Sequence, residues 1–172
     1  MLPSIYPYFD DLALTLEAET AILQNLAELF TAERELVING DVDALTRLTK
    51  RKRGLQNELS AAAQNTERAM IALCGAAEID RNSITLNRLP GLILTSDAER
   101  ACILSRRLEE HRLAANSAGQ SGLRTQELLK KSMEYVDHMV RTIAQADKPP
   151  SIYAANARLR PGAQESRSSI TL

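Results

Sequence analysis

Apolar residues in this chain recur at three- and four-residue steps rather than in alternation, the pattern of helices that bury one face. Phe9, Leu12, Leu16, Leu23, Leu26, Phe30 and Val37 form the first stripe. Ile22, Leu29 and Leu36 broaden it enough to pack against more than one neighbour. Pro3 and Pro7 place the start of this helix near Tyr8 or Phe9. Two seam positions, Glu19 and Glu33, are acidic. The stripe stops at Asn39-Gly40, where glycine supplies the left-handed backbone that closes a helix. Asp41 is then a ready N-cap, and Asp43 in the next first turn is favoured by the helix dipole. Leu45, Leu48, Leu55 and Leu59 resume the stripe, followed by Ala62, Thr66, Ala69 and Leu73. The second helix therefore folds back on the first as a hairpin.

Beyond Gly75, residues Glu78–Leu89 read as a short helical segment carrying Ile79, Ile84, Leu86 and Leu89, after which Pro90-Gly91 breaks the chain. Ser96 with Glu99 three residues on is a capping box, so a third long helix opens at Asp97. Ala101, Leu104, Leu108 and Ala115 carry its first part, and Leu129, Met133, Val136, Val140 and Ile143 its last, to about Ala146. Between them, Gly119 and Gly122 each lower helix propensity by about 1 kcal/mol relative to alanine, so a bend or a soft spot is expected over residues 116–126. Pro149-Pro150 end the helix, and the residues beyond them have no helical period. The expected fold is all-α: an antiparallel bundle of long helices, a helical hairpin plus a long C-terminal helix. The bundle domain spans residues 1–146 and a mobile tail spans 147–172.

Composition narrows the function. At 172 residues, 44% hydrophobic and 3% aromatic with no Trp, the chain can bury a core and suits helices better than sheets. Its net charge of −1 provides no overall attraction to nucleic acid or anionic lipid. The run Arg47, Lys50, Arg51, Lys52, Arg53 could contact phosphates, which would show as a steep salt dependence. The hairpin offers it a structural use instead, since folding about Gly40 brings Lys52 near Glu28 and Arg47 near Glu33. No nucleic-acid partner is expected. The segment MLPSIYPYFDD lacks the basic and apolar regions of a signal peptide, and no apolar run is long enough to span a bilayer. A cytoplasmic location without membrane insertion is expected. Cys74 and Cys102, with no CxxC spacing, read as reduced thiols acting as small apolar residues.

Catalytic chemistry is not visible. His111 and His138 stand about 40 Å apart if they share one helix, too far to share a metal. There is no glycine-rich phosphate loop, HExxH or GxSxG, and neither enzymatic activity, metal nor cofactor is expected. Leu128, Leu129, Met133, Val136, Met139, Val140 and Ile143 instead cover an arc wider than one seam needs, and its methionines suit an adaptable surface. Such an arc can bind another amphipathic helix. A self-associating coiled-coil scaffold is the alternative use for it.

The order of parts resembles the FlgN family, chaperones for the hook-associated (hook–filament junction) proteins of the bacterial flagellum. The resemblance rests on the segment carried by Gly40, Asp41, Leu45, Leu48 and Lys52, on the run LLKKSMEYV, and on a tail tyrosine, Tyr153, behind a proline-bearing break. Where the family commonly carries two asparagines ahead of the double leucine, this chain has Gly122 and Thr125. Ala157 replaces the glycine that follows the tail tyrosine. The resemblance implies a chaperone that holds the C-terminal helical region of a hook-associated protein and prevents its premature assembly. Such a chaperone delivers its client to the cytoplasmic domain of the flagellar type III export gate without hydrolysing ATP itself. Client binding is then expected on the arc from Leu128 to Ile143, and docking at the gate on Ile152 and Tyr153.

Overall fold

The computed structural model describes residues 5–94 and 97–146. Among these residues the regular structure is entirely helical, in agreement with the all-α expectation. Helix α1 spans Tyr6–Asn39. It begins before the expected Tyr8 because Pro7 occupies its first turn, where a missing N–H leaves no hydrogen bond unmade. At the other end Gly40 sits at φ 70°. The Gly40 N–H donates to Val37 O at 3.3 Å and the Asp41 N–H to Leu36 O at 3.2 Å. These paired bonds satisfy the last carbonyls of the helix. The Asp41 carboxylate then accepts the Ala44 N–H at 2.9 Å and opens α2, Val42–Ala76.

Helix α2 runs antiparallel to α1. Thr66 Oγ1 donates to Glu19 Oε2 at 2.8 Å, and Lys52 Nζ to Glu33 Oε1 at 2.5 Å. The register thus differs from the expected meeting of Lys52 with Glu28 and of Arg47 with Glu33. Glu33 follows Leu26 by seven residues and stays on the buried stripe, whereas Glu28 points to a shallow groove it shares with Arg47 and Arg51. The facing stripes set the register, and counting back from the turn does not.

The connector departs from the single helical segment expected over 78–89. It forms two 3₁₀ turns, Arg81–Ser83 and Leu86–Arg88, and then a short helix α3, Leu89–Ile93. Pro90 starts α3 rather than breaking the chain, again from a first-turn position. The connector's apolar residues Ile84, Leu89 and Ile93 are buried against Phe9, Leu12, Leu16, Met70, Leu73 and Leu104.

Helix α4 spans Ala98–Ala146. Asp97 is its cap: its carboxylate accepts the Arg100 N–H at 3.0 Å. The Ser96 of the expected capping box lies outside the described residues. Alongside α1, α4 runs parallel, with Arg100 on Asp10 at 3.0 Å, Arg107 on Glu17 at 2.8 Å and Thr125 on the Phe30 carbonyl at 3.0 Å. Helical structure is continuous through residues 116–126. Packing outweighs propensity there, since a Cβ on Gly122 would stand 3.3 Å from the Phe30 ring and glycine lets that ring approach.

The described residues up to Ser132 form one compact unit and those from Met133 a second. In the first, α1, α2 and α4 meet along their stripes, with a small satellite of Leu23, Ala114 and Ala118 above the main core. In the second, the helical residues Met133–Ala144 are all exposed. The expected tail, 147–172, lies outside the described residues.

Candidate functional site

The arc expected to bind a client divides in two. Leu128 and Leu129 are half-buried in the first unit. Met133, Val136, Val140 and Ile143 expose 72%, 58%, 58% and 59% of their surface, and Met139 is also exposed. They recur at helical spacing, so they share one face of α4. Tyr135 borders that face and is likewise exposed. Packing within a bundle core, the plain use of such a stripe, does not account for these side chains. Ile152 and Tyr153 lie outside the described residues.

The first unit holds a second feature, which the pattern of leucines did not reveal. Between α2 and α4, above α1, lies a groove of about 740 Å³. Leu23, Leu26 and Phe30 form its floor, Leu59 and Gln56 one wall. The α4 wall carries Leu123, Gln126 and, at its far end, Leu129, together with the small residues Ala115, Ala118, Gly119 and Gly122. These small residues were readable in the sequence only as weak helix formers.

Glu33 and Lys52 close one end of the groove. The Glu33 side chain is 4% exposed and that of Lys52 20%. The ammonium also stands 5.7 Å from the centre of the Phe30 ring, a cation–π distance. Lys52 is thereby withdrawn from the basic run that suggested phosphate binding. The second carboxylate oxygen of Glu33, Oε2, is buried without a hydrogen-bond partner.

The other acidic seam position has a structural role. Glu19 accepts the Thr66 hydroxyl from α2 and faces His111 of α4, whose Nε2 lies 3.2 Å from Oε1. The approach of the imidazole is close but not aligned as a hydrogen bond. His111 foremost, and Thr66 with it, hold the Glu19 carboxyl below its usual range against the opposing effect of burial. Glu19 thus ties three helices together. His138 is exposed on α4. Cys74 is buried and Cys102 exposed, both as free thiols. No cluster of His, Cys, Asp and Glu fit for a metal occurs among the described residues. No described helix is long and apolar enough to cross a membrane.

The positions at which the chain departs from the expected asparagines are those that fit α4 to α1. Gly122 receives the Phe30 ring, and the buried Thr125 hydroxyl lies within hydrogen-bonding distance of both the Phe30 and Ser121 carbonyls. Arg34 adds a bond to the Ser121 carbonyl at 3.3 Å.

Comparison with known proteins gives one assignment. The family model described as FlgN protein matches residues 1–161. No curated protein and no solved structure gives a significant match.

Proposed function

The chain belongs to the FlgN family and is thus a flagellar chaperone, and from that premise we propose that it is cytoplasmic and holds hook-associated proteins by their C-terminal helical region. The client helix lies on the face of α4 formed by Leu128, Leu129, Met133, Val136, Met139, Val140 and Ile143. One observation carries this reading: the apolar side chains from Met133 to Ile143 stand in water, at the spacing a second amphipathic helix can cover. Covering the client's own assembly stripe prevents premature polymerisation. The loaded chaperone then docks at the flagellar type III export gate, with Ile152 and Tyr153 as the docking element.

The test uses the full chain and the C-terminal helical region of a hook-associated protein. Val136→Asp with Val140→Asp places two charges on the face and leaves the core untouched, so helicity and melting should hold. Client affinity should fall by tenfold or more. Undiminished affinity in that variant would move the client site off α4. In the same assay Tyr153→Ala should retain the client and lose capture of the loaded complex by the gate's cytoplasmic domain. Equal capture would remove the tail from the docking role.

A further inference from the structure

At the end of the bundle where α1 begins lies a recess that the core does not fill. It measures about 340 Å³ and is formed by the start of α1, the end of α2 and the connector. Phe9, Leu73, Cys74 and Leu89, all core residues, line it. Its α2 side is held by a turn. Glu78 stands at φ 53°, the only described residue other than glycine with a left-handed backbone. There the Ile79 N–H donates to Cys74 O at 2.9 Å and the Glu78 N–H to Gly75 O at 3.3 Å. These paired bonds close α2 and turn Ile79 back against the core, so the recess keeps this wall. Leu92, also in its lining, is left 45% exposed.

An unfilled apolar recess forfeits the contacts that its lining could make. The chain carries a filler at its lip. Ile5 lines the recess, and Met1, Leu2, Pro3 and Ser4 directly precede it. Leu2 lies three residues from Ile5, a reach of about 10 Å for extended backbone. Pro3 restricts the residue before it to extended conformations, which lowers the entropy lost in presenting Leu2. None of these four residues has a charged side chain, and Glu78 is the one charged residue of the lining. The recess therefore suits an uncharged aliphatic side chain.

We propose that Leu2 occupies this recess, with Met1 over the exposed Leu92, so that residues 1–4 form a strap across the end of the bundle. The strap joins the start of α1 to the end of α2 and the connector. It keeps water from Cys74 and from the core residues beside it. This inference is independent of the client reading.

The buried Cys74 thiol reports on the strap in the full chain. Cys102→Ser removes the exposed thiol and leaves Cys74 as the single cysteine. In that background Leu2→Asp should raise the rate of Cys74 alkylation by iodoacetamide about tenfold or more, as loss of a buried leucine predicts. Leu2→Met, which keeps an apolar filler, should leave the rate within about twofold of its parent. Helicity by circular dichroism should be the same in all three chains. A direct readout comes from Leu2→Cys with Cys102→Ser. Under oxidised glutathione it should close a disulfide to Cys74 within one chain, because the two side chains share the recess. An alkylation rate unmoved by Leu2→Asp overturns the proposal and leaves the recess to another occupant, such as a small apolar molecule. A Leu2→Cys chain that oxidises only between copies overturns it as well.

Discussion

Where α1 begins, Leu12, Leu16, Leu89 and Ile93 have no exposed surface, and the connector lies over the ends of three helices. Toward Gly40, where α1 closes, Leu45, Leu48 and Leu55 are only half-buried. There a carboxylate stands on the seam, and α4 lines the groove with Ala115, Ala118, Gly119 and Gly122 beside Leu123 and Leu129. The same three helices thus form a closed core at one end and an open groove at the other. The contrast teaches that small side chains on α4 leave one end of the bundle open while larger ones close the other over a core.

The contrast breaks if both ends respond alike to truncation. Leu16→Ala should destabilise by about 3 kcal/mol or more, since it opens a cavity in a packed core. Leu48→Ala, at the open end, should lower stability by about 1 kcal/mol in the same urea titration. Equal losses would mean that the groove end is as tightly packed as the other.

The polar part of the open end gives the next effect. Lys52→Met leaves the Glu33 carboxylate buried without its cation and should destabilise by about 2–3 kcal/mol. Adding Glu33→Met should recover most of that loss or exceed it, because desolvating the pair offsets much of its attraction. A double variant that recovers none of the loss, staying as far below the wild type as the single one, would assign the pair a net stabilising role.

The smallest effect separates two neighbouring glycines. Gly119→Ala should stabilise by about 0.5–1 kcal/mol through helix propensity alone, its Cβ meeting nothing. Gly122→Ala should gain less or lose, since the Phe30 ring must give way by a few tenths of an ångström. Thermal melts of the two, side by side, sharpen the boundary between open and closed wall.

Much of this architecture was legible in the residues. Gly40 and Asp41 announced both the end of α1 and the cap of α2, because cap chemistry is local. The three long stripes announced three long helices for the same reason. The connector was misread because Pro90 can either break a helix or begin one, and only its apolar neighbours' burial decides. The pairing of Lys52 was misread because register depends on which faces meet. The apolar arc at the end of α4 was legible, although its exposure was not. The groove was not legible, since Ala115, Ala118, Gly119 and Gly122 acquire meaning only when Phe30 and Leu59 stand opposite them.

The chain order of the polar links has a consequence for biosynthesis. The links between α1 and α2 join residues 19 and 47 positions apart. Those between α1 and α4 span 87 to 95 positions. As the chain leaves the ribosome, the links between α1 and α2 can form once residue 76 is out, while the α4 seam is still being translated. Phe9, Leu12 and Leu16 therefore wait in the nascent protein for Leu104 to arrive, a delay set by elongation at roughly 5–20 residues per second.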